Sequence, residues 1–329
     1  MMQNELKTYL APGRRVWTLL GRACWGLCLF GLLLASCHSR RSPIVEKKKP
    51  EIKASWPEAP VKKQPKTVQV PKDVRVGEYF TYIDSLVKAH DTLVPYGLSE
   101  HLLVRNNPWI IDTLANTDYY RMMARDSFVY DQRQMIVLPE GSTLVFPDSL
   151  KALKLLDAFA KTKIDVNIPE FTLRIFQDST LLYRMPVRVG QDRQRYLKMG
   201  DRVTDLRTKT GKGTIVRHAK DPDFYNPVNG KRFYVTNRDD GRKTLMPQIP
   251  WIETEVNGIR NGQMIHPTTN PKSLGRAYSN GCIGTSEADA WIIYYHAPLG
   301  TKLEIRYDLE TTDQDGNPVL LDDIYGMAD

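Results

Sequence analysis

The sequence predicts a mainly β unit over residues 163–308, a mixed sheet or sandwich with one or two helices. A small α+β unit over 75–150 precedes it. Three observations carry this. The runs 164–168, 172–176 and 181–189 are short and rich in β-branched residues, with Gln177-Asp178-Ser179-Thr180 as a hairpin turn between two of them. Only one stretch of that unit reads as helical, 287–296. It opens after Ser286, has Asp289 three residues on as a capping-box partner, and stops before Pro298. In 75–150, by contrast, helix-like periods recur at 80–88, 99–106 and 117–125, and 138–146 then reads as a turn into a short strand. Further strands are expected at 213–217, 232–236, 263–266 and 302–307. A unit of about 145 residues is large enough to bury its own core.

The segments outside these units are read from charge and composition. Residues 1–22 hold Lys7, Arg14, Arg15 and Arg22 against Glu5, and 23–36 form an apolar run ending in small residues. That run is shorter than the roughly 20 residues of a membrane span and has the length of a signal-peptide core. Leu34-Ala35-Ser36-Cys37 resembles the lipobox of bacterial lipoproteins. The resemblance implies cleavage before Cys37, acyl chains on its sulfur and new amino group, and stable anchoring. The alternative is a signal anchor that stays in the membrane; either exports the rest. Residues 37–74 read as a solvated basic tether, rich in Pro and Lys, with ten Lys or Arg against four acids in 38–73. Of the net charge of +8, the export segment and tether account for all, which leaves the folded part near neutral. The basic balance therefore gives no support for a nucleic-acid surface. The stretch 309–329, acidic and without a base, reads as a tail over the surface or disordered.

There are four cysteines, Cys24, Cys28, Cys37 and Cys282. With the first two in the export segment and the third lipidated, Cys282 is a lone thiol in an oxidising compartment, a flag for reactivity or intermolecular pairing. It sits in Ser279-Asn280-Gly281-Cys282-Ile283-Gly284, where glycines permit a tight turn and close approach of a substrate. The helix expected directly behind it favours thiolate, and the N–H groups of Gly281 and Cys282 are placed to face an oxyanion. A nucleophilic thiol needs a base. Among His38, His90, His101, His218, His266 and His296, His266 at the end of a strand is the first candidate and His218 the second; His296 is expected to face out or cap its helix. The bland reading of these residues is a small apolar cysteine in a turn and a structural histidine.

The phrase His266-Pro-Thr-Thr-Asn-Pro-Lys-Ser-Leu-Gly-Arg-Ala-Tyr-Ser279-Asn-Gly-Cys282-Ile resembles the active-site stretch of L,D-transpeptidases with the YkuD-type catalytic domain. Ile168-Pro-Glu-Phe-Thr-Leu-Arg-Ile-Phe176, Met185-Pro-Val-Arg-Val-Gly190, Thr208-Lys-Thr-Gly211 and Pro298-Leu-Gly-Thr-Lys-Leu-Glu-Ile305 are similar to other phrases of that family, so the resemblance covers about 163–307. It implies the family's mixed β fold, Cys282 as thiolate nucleophile, and His266 as base, its ring held by a main-chain carbonyl such as that of Pro267. The implied substrate is a peptidoglycan stem peptide. Cys282 would attack the carbonyl of its third residue and expel D-Ala, and an amine, a protein lysine or water would resolve the acyl-enzyme. No metal or cofactor enters.

Departures from the family pattern bear on substrate handling. Asn280 replaces a common His or Lys, Gly284 a common Arg or Asn, Pro267 a common Gly and Lys209 a Pro. A contact to the stem must then come from elsewhere, with Arg276 the candidate. Gly281, Asn280, Ser279, Pro267 and Arg276 are assigned to oxyanion and substrate positioning. The phrases 98–108 and 138–146 resemble LysM-type wall-binding modules, with a longer interval between them; a packing domain that positions the catalytic unit is the alternative. The expected protein is a lipid-anchored, periplasm-facing L,D-transpeptidase, its partners stem peptides and, through the anchor, the membrane. An L,D-carboxypeptidase, a non-catalytic wall-binding lipoprotein and a redox role for the thiol are the rival readings.

Overall fold

The computed structural model describes residues 67–313 and 315–327. The export segment, Cys37 and most of the basic tether lie outside the described residues. Eight strands build one mixed sheet: β1 (Thr162–Asn167), β2 (Thr172–Gln177), β3 (Thr180–Pro186), β4 (Gly211–Ala219), β5 (Trp251–Val256), β6 (Met264–Pro267), β7 (Ile283–Thr285) and β8 (Lys302–Arg306). Their order across the sheet is β7-β6-β5-β4-β8-β1-β2-β3. The pairs β6–β7 and β8–β1 are parallel and the rest antiparallel. The fold class is thus mainly β with a mixed sheet.

Alternation explains the central strand. Ile164 and Val166 of β1 are fully buried in the core. Asp165 points the other way, where Arg306 reaches it at 2.9 Å and Arg174 at 3.6 Å. Register is fixed because a one-residue slip would bury that carboxylate among aliphatics.

Six helices accompany the sheet: α1 (Val76–His90), α2 (Glu100–Asn106), α3 (Trp109–Ala115), α4 (Tyr119–Met123), α5 (Ser149–Ala160) and α6 (Glu287–His296). Helix α6 starts as expected, with Ser286 Oγ accepting the Asp289 N–H at 3.0 Å. Ala288, Ala290, Trp291, Ile293, Tyr294 and Tyr295 are all buried, so it is apolar on every side. Such a helix must be covered all round, and α2, α3 and β6 supply the cover. Several polar groups in this cover pair with one another, while the Trp291 indole N–H has no partner. Tyr79 and Tyr295 hydroxyls lie 2.7 Å apart, and Glu100 accepts from Tyr294 and Tyr295 at 2.9 and 3.0 Å. Asp118 serves two helices, taking the N–H groups of Tyr120 and Arg121 in α4 and of Ala288 in α6. The helical stretch and the sheet share one hydrophobic core, from Val70 to Tyr325.

Several elements differ from the sequence expectation. Helices α3 and α5 have no counterpart in it. In α5, Leu150, Leu153 and Leu156 are exposed and Ala152 and Leu155 buried, so its leucines do not mark the packed face. The strand expected at 232–236 is Val235–Asn237, paired with Lys243–Leu245 outside the large sheet. A hairpin of Gln194–Leu197 with Arg202–Asp205 is additional. The acidic tail is structured: Glu310–Thr312 pairs with Pro318–Leu320, and Tyr325 is buried. Among the described residues no helix is long and apolar enough to cross a membrane.

Candidate active site

The site lies at the β7 edge of the sheet. The parallel register sets His266 of β6 opposite Gly284 of β7. Ile252 pairs with Ile265, so Trp251 of β5 stands opposite His266 on the other side. Side chains repeat every second residue along a strand, which brings Cys282 to the face that carries His266. The intervening 268–281 fold back through a turn at Pro271–Ser273 and a short strand Ala277–Ser279, which returns the chain so that Cys282 directly precedes the strand beside His266.

The imidazole is held on two sides. His266 Nδ1 lies 2.9 Å from the Pro267 carbonyl oxygen, which fixes Nδ1 as the protonated nitrogen and leaves Nε2 as a base. Trp251 stacks on the ring at 4.5 Å and 25°, and Phe224 packs edge-on against Trp251. The other histidines are engaged elsewhere. His218 Nε2 bonds the Ala297 carbonyl and its ring stacks on His101. His296 does not face out: it is buried, with Nδ1 on the Ile292 carbonyl of its own helix. His90 bonds the Leu86 carbonyl.

The cysteine turn is stapled from within. Gly281 has φ +108°, a conformation closed to residues with a Cβ. Ser279 Oγ donates to the Cys282 carbonyl at 2.5 Å and accepts the Gly281 N–H at 3.2 Å. Of the two amides expected to face an oxyanion, Gly281 is thus engaged inside the turn. A second brace comes from Thr208, whose Oγ1 donates to the Gly281 carbonyl at 3.0 Å and accepts the Gly190 N–H at 2.8 Å. Behind it, the Tyr325 hydroxyl donates to the Gly190 carbonyl at 2.7 Å and accepts the Thr208 N–H at 3.2 Å. The tail thereby buttresses the nucleophile turn.

The helix does not follow Cys282 at once. Three residues of β7 and the cap Ser286 intervene, roughly 10 Å of extended chain. The helix field fades within its first turn, so α6 does little for the thiolate. Burial pushes the thiol up, against a hydrogen bond from the Met264 main chain and the positive charge of Arg188. Burial, then the same arginine, lowers His266 to about 4, against the Pro267 hydrogen bond. The resting pair is therefore neutral thiol and neutral imidazole.

A cavity of about 360 Å³ opens at the thiol, lined by Asn280, Gly281, Cys282, Gln263 and the basic Arg202, Arg207 and Lys209. Asp205 pairs with Arg207 and Lys209. Arg276 is exposed, and its main-chain carbonyl accepts the Val189 N–H at 3.1 Å. The guanidinium beside the pair belongs to Arg188. Sequence reasoning did not find Arg188, Trp251, Met264 or Tyr325. Arg188 and Thr208 stand in stretches that resemble the family, Met185–Gly190 and Thr208–Gly211, and Met264 in an expected strand, but their roles arise from long-range pairing. Among the described residues no cluster of three or more His, Cys, Asp or Glu is placed to hold a metal ion.

Comparison with known proteins bears on this geometry. Residues 161–305 match the family model of the L,D-transpeptidase catalytic domain, YkuD. No curated protein matches the chain. Similar solved structures include an L,D-transpeptidase from Mycobacterium smegmatis, 17% identical, over 44% of this chain and 58% of that one, with a TM-score of 0.31. The L,D-transpeptidase LdtMt1 in complex with imipenem is 15% identical, over 44% and 59%, with a TM-score of 0.31. An L,D-transpeptidase from Xylanimonas cellulosilytica is 14% identical, over 74% and 100%, with a TM-score of 0.33. The chain thus spans under two thirds of the first two.

Proposed function

We propose that the protein is a peptidoglycan L,D-transpeptidase in which Cys282 is the nucleophile and His266 the base. The observation that carries this is the parallel register of His266 with Gly284, two residues past Cys282, with Nδ1 of His266 tied to Pro267 and Nε2 left free for a thiol on the same face. Nε2 takes the Sγ proton as sulfur bonds to the carbonyl carbon of the third stem residue. The Cys282 amide receives the oxyanion. Collapse breaks the C–N bond, and the imidazolium protonates the departing D-Ala amine. His266 then deprotonates an acceptor amine, which attacks the thioester and frees the thiol. A stem-peptide amine gives a 3→3 cross-link, a protein lysine gives attachment, and water gives the carboxypeptidase outcome.

The apolar segment and the lipobox-like phrase ending at Cys37 support a lipid anchor in the cell envelope with the chain facing the periplasm; Cys37→Ser should release the chain from membranes. Helices α1–α5 serve to hold α6, and with it the sheet end that carries the site.

The test is intact-mass spectrometry with imipenem, the ligand of one similar structure. A stoichiometric adduct that Cys282→Ala abolishes supports the assignment. No adduct, together with no product from stem tetrapeptides, overturns it. Products made with and without an amine acceptor then separate transfer from hydrolysis.

A further inference from the structure

We propose that Arg188 is the receptor for the C-terminal carboxylate of the donor stem peptide, an inference that rests on the stem-peptide reading above. Arg188 is tied to the nucleophile strand by its backbone: its N–H donates to the Gly284 carbonyl and its carbonyl accepts the Gly284 N–H, both at 2.9 Å. Its side chain lies flat across Gly284. A Cβ there would stand 2.5 Å from Nε and 2.7 Å from Cγ, so the glycine is what admits the arginine.

The guanidinium is under-satisfied. Nη1 donates to Ser273 Oγ at 3.2 Å, and Nε is buried without a partner. Among the described residues no carboxylate lies within 4.0 Å of it, whereas buried Arg238 has Glu287 and Arg174 has Glu170. The carboxylate that acts on it from a distance, Asp239, is occupied by Asn270 at 3.0 Å and the Lys272 N–H at 2.7 Å. A half-buried guanidinium with a buried, unpartnered Nε and no carboxylate beside it is unfavourable, so an arriving anion completes the site.

Position selects the anion. Gly284 lies two residues, roughly 7 Å, along β7 from Cys282. In the donor, the carboxylate follows the attacked carbonyl by one residue, a reach of about 3.5 Å. The guanidinium over Gly284 covers the remainder, and its planar fork suits a carboxylate better than an ammonium does.

The experiment compares a stem tetrapeptide with its C-terminal amide on the full-length, detergent-solubilised chain. Wild type should acylate the carboxylate donor with a kcat/KM about ten- to a hundredfold above the amide, the range of a charged hydrogen bond. Arg188→Gln should remove that preference, bringing the ratio of the two kcat/KM values to near one by lowering the carboxylate donor more than the amide, and Arg188→Lys should keep part of it. A purely structural role lowers both donors together. Preference retained in Arg188→Gln, or both donors lowered together in a variant whose melting temperature is unchanged, overturns the proposal and leaves the transpeptidase reading intact. Binding of both peptides to Cys282→Ala, with and without Arg188→Gln, is read in parallel by calorimetry. Carboxylate-dependent binding lost with Arg188 but without turnover in wild type sustains the receptor and removes the enzyme reading. Neither binding nor turnover removes both.

Discussion

The resting state of the Cys282–His266 pair is open to a direct test by pH. His266 sits at about 4 and the thiol above its ordinary 9.0. With the imidazole lowered and the thiol raised, the neutral pair is favoured over thiolate–imidazolium at neutral pH. Alkylation by iodoacetamide, which needs thiolate, should rise about tenfold per pH unit from 6 to 9 with no plateau near neutrality. Acylation draws its base from neutral imidazole instead, so kcat/KM should climb through pH 4 and run flat to the thiol limb. In His266→Ala the acid limb should vanish and the rate fall by about 10² to 10⁴, the remainder tracking hydroxide. The measurements are stopped-flow acylation by imipenem and mass-resolved alkylation over pH 3.5–10. An alkylation plateau centred at or below pH 7 that His266→Ala abolishes would show a preformed ion pair and refute this reasoning.

Burial lowers His101, His218 and His266 to about 4 and His296 to about 3. Each binds its proton more readily unfolded, at about 6.5, so stability should be full above that pH and lost as pH falls towards 4. Each such proton contributes about 1.4 kcal/mol per pH unit. A melting temperature that holds steady from pH 6.5 to 4.5 would contradict this, and His218→Asn should make the decline shallower. Arg238 and Glu287 form a fully buried ion pair, with Gln132 bonded to both. Glu287→Leu leaves the arginine uncompensated and should cost about 3–5 kcal/mol by urea denaturation; a loss under 1 kcal/mol would show the charge is relieved elsewhere. Tyr325→Phe strips partners from the Gly190 carbonyl and the Thr208 N–H. It should cost about 1–3 kcal/mol and slow acylation through kcat with KM little changed, as should truncation after Tyr307. Gly281→Ala, forced to φ near +108°, should lose about 1–3 kcal/mol and most imipenem adduct formation.

What the sequence disclosed about the site follows chain locality. The turn 279–282, the capped start of α6 and the strand ending at His266 are written in consecutive residues, and the carbonyl that holds His266 belongs to the next residue, Pro267. The strand β7 between Cys282 and α6 was not legible, because Ile283-Gly284-Thr285 pairs only through β6 and Arg188. Tyr325 had no local signal at all. It lies in an acidic stretch whose composition suggests a solvated tail, and its burial arises from a stack on Tyr307 and two hydrogen bonds over 100 residues distant in sequence. Leu150, Leu153 and Leu156 show the converse, leucines on the exposed side of a helix packed through Ala152 and Leu155.

Gly284 is the departure that the structure reinterprets. In the family it resembles, that position commonly carries an arginine or asparagine; here the space is filled from Arg188 on a neighbouring segment. The Arg188 charge acts on both members of the pair with opposite consequence for proton transfer: it favours thiolate and opposes imidazolium. To first order the two cancel in the step that moves the proton from Sγ to Nε2. Removing the charge should raise both titrations together, shifting the acid limb upward while leaving their separation nearly unchanged. Such an arginine gives little to base catalysis and much to whatever anion it binds. This is why Arg188→Gln should penalise the carboxylate donor more than the amide one.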